Sequence, residues 1–265
     1  MIKINNGFDT FVDAAGKTLE VAPKLYDDTI QPAAKESGKT FSLIPKTINA
    51  ALVPLRQWIA KKEYNMAETE KLLAYKLEHL DPEKIVSPEP YVAVPALQAI
   101  SYSMDNSQLR NLYANLIANS MNVDIKDSVH PSFVEIIKQL SPLDAQVFDV
   151  ICNNTVNPLV HIKRITIKDE SSIDLTKNIT LLNMATIDSL SISIDNLKRL
   201  NLIDIPADAY YSNTSIYQPF FDLDIYKSYA QSFTNSIDYK IDVEKKVIKV
   251  TDMGRSFHNI CVKDI

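Results

Sequence analysis

The side chains in this chain that could carry chemistry are few and scattered. There are four histidines, His79, His130, His161 and His258, and two cysteines, Cys152 and Cys261. No HExxH, CxxC or histidine-rich cluster occurs, so a zinc site would have to be assembled from residues far apart in the sequence. His130 and Glu135 flank a helix start five residues apart. Such a pair meets the residue requirement for general acid–base work, but a His near a helix N-terminus usually has a structural or capping role, which is the simpler reading for His130. Asp27-Asp28, and Asp222 with Asp224, are acids of the kind that bind a divalent ion in phosphodiester chemistry, yet paired surface acids are commonly just solvated. AGKT at Ala15–Thr18 and SGKT at Ser37–Thr40 match the tail of a phosphate loop, but Phe11 and Ala33 replace its first glycine. No catalytic, cofactor or metal residue is therefore assigned, and no cofactor is expected.

Charge offers two further surfaces. Lys198 and Arg199, with Lys245, Lys246 and Lys249, are what a helix and a wing would present to DNA. The formal net charge of −5, and 13 basic against 16 acidic side chains in residues 141–265, argue against general nucleic-acid affinity, which rests on basic residues neutralising phosphates. Residues 35–62 carry six basic side chains against Glu36 alone. There Lys46, Arg56, Trp58, Lys61 and Lys62 border an apolar stripe of Phe41, Ile44, Ile48, Leu52, Leu55 and Ile59, a pattern for a membrane surface or a partner protein. The same pattern serves a core-facing helix with a solvated side.

The elements that must position these residues are mainly helical. Leu109, Leu112, Tyr113, Leu116 and Ile117, with Met121 a turn later, form one apolar stripe. Before it, Pro95 is placed in the first turn of a helix carrying Leu97, Ile100 and Met104, with Glu83 to Val94 extended. After it, Pro131 opens a helix with Phe133, Ile136, Ile137 and Leu140 on one face. Upstream, Pro23 and Pro32 cut residues 8–37 into short pieces. Asn65 caps a helix bearing Leu72, Leu73, Leu77 and Leu80.

From Ser141 the texture changes. Ser141-Pro142-Leu143-Asp144 is a helix start with its own cap. Leu159 to Ile167 is β-branched and strand-like. Leu181–Leu190 and Ser193–Asn201 read as two helices, followed by a short strand at Leu202–Ile205. Tyr239, Ile241 and Val243 alternate, Glu244-Lys245-Lys246 reads as a turn, and Ile248 and Val250 alternate again, which predicts a hairpin. Thr251 caps a last helix with Phe257, Ile260 and Cys261 inward, and Gly254 allows close approach to the sheet. The expected architecture is mainly α: a helical region over 1–140, then a winged-helix-like α+β region over 141–265. That second region carries a long insertion at about 207–238, with a helix from Asp224 to Phe233.

The succession LRNLYANLIANSMN and HPSFVEIIKQLSPLDA, with PKLYDDTIQPAAKESG and IPKTINAALVPLRQWI upstream, resembles the abortive-infection alpha family of bacterial phage-defence proteins over roughly residues 20–150. The resemblance implies defence by sacrifice or arrest of the infected cell, and it supplies no reaction. The expected function is therefore phage defence through protein or macromolecular contacts rather than catalysis, with an unidentified phage or host protein as partner and room for homo-oligomerisation. The alternatives are a winged-helix DNA-binding regulator and a membrane-surface effector using residues 41–62. Two distant cysteines, no signal-peptide core and no apolar run long enough to span a bilayer predict a cytoplasmic protein, with attachment to the inner membrane face open to its basic segment.

Overall fold

The computed structural model describes residues 66–100 and 106–265. They divide into two compact units: the described residues up to Glu135 with Lys263–Ile265, and Ile136–Val262. The Asn65 cap, Met104, the upstream helices and the basic segment with Lys46, Arg56, Trp58, Lys61 and Lys62 lie outside the described residues.

The first unit is built from helices α1 (Met66–Leu77), α2 (Pro90–Ile100) and α3 (Ser107–Ser120), and α1 and α2 both pack on α3. Asn106 caps α3, its Oδ1 accepting from the Leu109 N–H at 3.0 Å. The stripe of Leu112, Tyr113, Leu116, Ile117 and Met121 is buried as expected. Every residue from Leu112 to Ser120 is buried, Asn115 and Asn119 included, so α3 is an axis rather than a surface helix. Helix α2 starts at Pro90, not after an extended segment reaching Val94, because proline suits a first turn whose N–H groups have no intrahelical acceptor. Pro95 therefore falls inside α2, where it cannot donate to the carbonyl of Tyr91, an exposed residue.

The last residues of the chain belong to this unit. The Asp264 carboxylate accepts from Lys76 Nζ at 3.0 Å and from Asn111 Nδ2 at 3.2 Å, while Asn115 Nδ2 donates to the Lys263 carbonyl at 3.4 Å. The Lys76 side chain is only 5% exposed, and a buried ammonium needs a counter-charge. Helix α4 (Ser132–Lys138) carries the chain into the second unit. His130 serves its start, Nδ1 accepting from the Ser132 N–H at 3.1 Å.

The second unit opens with α5 (Pro142–Asn153). Its predicted start forms a full capping box: Ser141 Oγ accepts from the Asp144 N–H at 3.1 Å, and Asp144 Oδ2 accepts from the Ser141 N–H at 2.7 Å. Strands β1 (Pro158–Thr166) and β2 (Ser172–Ile179) follow, then α6 (Ile187–Arg199), β3 (Ile203–Asp204), a 3-10 segment (Thr214–Asp222) and α7 (Asp224–Phe233). Strands β4 (Tyr239–Val247) and β5 (Lys249–Val250) lead to α8 (Asp252–Phe257), which ends in a π turn at His258–Val262. The helices expected at 181–190 and 193–201 are one helix, α6, because Thr186 caps it and Leu190, Ser193, Ile194 and Leu197 keep a single buried face.

The expected hairpin does not form. Strand β4 pairs antiparallel with β1 in a sheet of order β2-β1-β4, and β5 pairs with β3. Glu244-Lys245-Lys246 is strand rather than turn because each side chain has a partner beside β4, as described below. The 207–238 insertion also belongs to the core: Tyr217 and Phe220 pack against Val160, Ile162, Ile179 and Val243. The Tyr217 hydroxyl donates to the Lys246 carbonyl at 2.8 Å and accepts from the Tyr211 N–H at 3.0 Å.

Gly254 sits in the first turn of α8, where a Cβ would come within 2.0 Å of the Leu202 carbonyl oxygen. Thr251 fixes this approach: its N–H donates to the Leu202 carbonyl at 3.1 Å, and its hydroxyl donates to the Asn201 carbonyl at 2.6 Å.

Gly254→Ala should cost about 3 kcal/mol by overpacking, and Ser141→Ala about 1 kcal/mol by loss of the cap, both measured by urea unfolding. Lys76, by its hydrogen bond, holds Asp264 below its ordinary carboxyl value of 3.8. Ionised Asp264 thus contributes stability above that value, and the contribution is lost as pH falls through the lowered one. Asp264→Asn should therefore lower the thermal midpoint at pH 7, and the gap to the native chain should narrow below pH 3.8.

Candidate functional site

The two faces of the sheet differ in chemistry because side chains alternate along each strand. Val160, Ile162 and Val243 face the apolar core. The opposite face brings together His161, Lys163 and Glu244, since Glu244 lies across from His161 on β4, and Asp174 lies across from Lys163 on β2. Lys246, two residues after Glu244, shares that face.

These groups form a connected charge cluster. Lys163 Nζ lies 2.7 Å from Glu244 Oε2 and 3.9 Å from Asp174 Oδ1. Lys177 Nζ is 3.0 Å from Asp174 Oδ2. Lys246 Nζ is 2.9 Å from Glu244 Oε1 and also donates to the Ala207 carbonyl. His161 Nδ1 lies 3.9 Å from Glu244 Oε2, beyond hydrogen-bond reach, and His161 Nε2 is buried without a partner. One potential ligand atom each from His161, Asp174 and Glu244 lies within 4.8 Å of the others, so these three are the residues here that could hold a metal ion.

The electrostatics set the protonation. Burial pushes His161 below the ordinary imidazole value of 6.5, outweighing the opposite pull of Glu244 and Asp174, so the ring is neutral at pH 7. Burial also pushes the Glu244 carboxyl up, but the hydrogen bonds and charges of Lys163 and Lys246 outweigh it and hold the group below the ordinary carboxylate range. The hydrogen bond to Glu244 raises Lys163. At neutral pH the imidazole is therefore neutral, while Glu244 and Lys163 face each other as carboxylate and ammonium.

The residues predicted to meet DNA are not gathered in one row. Lys198 is exposed in the last turn of α6. Arg199 donates to Gln139 Oε1 at 2.9 Å and to Asn196 Oδ1 at 2.7 Å. Lys245 lies on the core side of β4, 5.9 Å from the Tyr217 ring centre, while Lys246 is buried on the other side. Lys249 is exposed on β5. Asp224 sits in the first turn of α7, and Asp222 lies 3.9 Å from Lys227. His79 is exposed beside Glu78, and His258 Nε2 is 3.4 Å from Asp149 Oδ1. Burial pushes the Cys152 thiol up to about 12 and raises Cys261 as well, so neither is an activated nucleophile.

Asp174 and Glu244 escaped the sequence reading because their partner His161 lies on another strand. The alternation of Val160, His161, Ile162 and Lys163 was the available signal, since it already puts the imidazole and the ammonium on one side.

The chain is thus a mixed α/β protein, with a helical unit and a unit built on a small antiparallel sheet. The family model described as abortive infection alpha matches residues 61–261, and the chain belongs to that family. The match extends through the sheet-bearing unit, beyond the 20–150 stretch that carried the resemblance. No curated protein and no solved structure matches the chain. Among the described residues, no helix is long and apolar enough to cross a membrane.

Glu244→Gln keeps one amide oxygen as an acceptor but removes the negative charge facing the buried Lys246 ammonium and Lys163, and should cost about 1–3 kcal/mol. Lys177→Ala removes a more exposed ion pair and should cost less than about 1 kcal/mol. Chemical unfolding of the two variants side by side checks the difference.

Proposed function

We propose that the protein acts in abortive infection inside the bacterial cell, through contact with a phage or host protein. The observation that carries the role is the family match over residues 61–261. The contact mode is supported by aliphatic side chains left in solvent at one end of the sheet. Ile237 is 87% exposed and Ile167 51%, and the Ile167 N–H donates to the Asp238 carbonyl at 2.8 Å, which sets the two segments side by side. Ile173, at the start of β2, is exposed as well. Large aliphatic groups presented together favour a partner over water. Residues 41–62 are a second candidate surface, with Lys46, Arg56, Trp58, Lys61 and Lys62 bordering the apolar stripe of the sequence.

A winged-helix-like reading of residues 141–265 with a DNA-binding role is weaker. Its five cations are spread over a helix, two sides of β4 and a separate strand, and the region carries more acids than bases.

Cells producing the native chain should survive phage challenge as a population, with early arrest or lysis of infected cells. The double variant Ile167→Ser, Ile237→Ser, checked for native circular dichroism, should lose that protection. Full protection by the folded double variant would remove this surface from the mechanism, and no protection by the native chain would remove the role.

A further inference from the structure

We propose that His161, Asp174 and Glu244 form an exchangeable site for a zinc-class divalent cation, and that the ammonium of Lys163 holds the cation's place when no ion is bound.

The donor set is one imidazole nitrogen and two carboxylate oxygens, a combination that suits a borderline ion such as zinc and leaves a fourth position for water. The ligand atoms lie within 4.8 Å of one another. Bonds of about 2.0–2.2 Å to a tetrahedral ion put ligand pairs about 3.3–3.5 Å apart, so the widest pair must close by up to about 1.5 Å. The Asp174 and Glu244 side chains are 28% and 32% exposed, which leaves them room to turn inward and leaves an ion a way in.

His161 is the second observation. Its side chain is only 15% exposed, yet among the described residues neither ring nitrogen has a hydrogen bond, and Nε2 is sealed from solvent. An ion on Nδ1 leaves Nε2 as it is, so the atom that bears on the site is Nδ1, which borders the charge cluster with no hydrogen bond of its own. Nδ1 lies 3.9 Å from Glu244 Oε2, and an ion bound to it would hold the ring as the Nε2–H tautomer. Burial supports this picture by keeping the ring neutral, the form that binds metal.

Lys163 supplies the competing cation. Its Nζ reaches toward both carboxylates, at 2.7 and 3.9 Å, on a side chain 25% exposed that can swing outward. The other two ammoniums can stay where they are. Lys246 also donates to the Ala207 carbonyl and to the far oxygen of Glu244, and Lys177 uses the far oxygen of Asp174. Their repulsion weakens the site, which makes the ion exchangeable rather than structural.

The test is titration of the full-length chain with zinc chloride by isothermal calorimetry at pH 7.5, in parallel with His161→Gln, Glu244→Gln and Lys163→Met. Saturable binding of one ion by the native chain is expected, weakened at least about tenfold in the first two variants and tightened in Lys163→Met. Magnesium, which prefers an all-oxygen shell, should give no heat. A gain of affinity in Lys163→Met is a result that misfolding cannot produce. The proposal is overturned if neither the native chain nor Lys163→Met binds zinc saturably, if His161→Gln binds as tightly as the native chain, or if Lys163→Met shows no gain.

Discussion

Strand β1 is hydrogen-bonded along both edges, and the second unit depends on that double pairing. Its register with β4 runs unbroken from Pro158 opposite Val247 to Thr166 opposite Tyr239. Its register with β2 is interrupted between Val160 and Ile162 and again between Ile162 and Lys163. The unbroken edge places Glu244 across from His161, and the interrupted one brings Asp174 across from Lys163. A slip of one residue would send Val160 and Ile162 to the charged side and His161 and Lys163 into the core. The cost of either exchange holds the register.

Two buried lysines show how charge is accommodated in each unit. Lys76 in the helical unit is answered by Asp264, from the last residues of the chain. Lys246 in the sheet unit is answered by Glu244 and the Ala207 carbonyl. In each case one acceptor, Asp264 or the Ala207 carbonyl, comes from a segment that looks peripheral in the sequence. The C-terminal residues thus satisfy a buried lysine, and the insertion supplies Tyr217 and Phe220 to the apolar core.

Much of the local structure was readable from short stretches. The 3.6-residue spacing of Leu112, Tyr113, Leu116 and Ile117 marked α3, Ser141 and Asp144 marked the start of α5, and the run from Leu159 marked β1. Gly254 marked a close approach, which proved to be to the Leu202 carbonyl. The start of α2 was misread because either Pro90 or Pro95 satisfies a first turn, and local preference cannot choose between them. The hairpin was misread for a deeper reason: Tyr239 to Val247 has the alternation of a strand whichever neighbour it takes.

By itself, then, the sequence determined helix faces, caps and the existence of the strands, because those depend on hydrogen bonds and periodicities within a few residues. Only the tertiary structure decided that β4 pairs with β1 and β5 with β3, and hence that His161, Asp174 and Glu244 meet. Pairing is a competition among distant edges, settled by which choice buries Val160, Ile162, Tyr217 and Phe220 together, and no local pattern records that outcome.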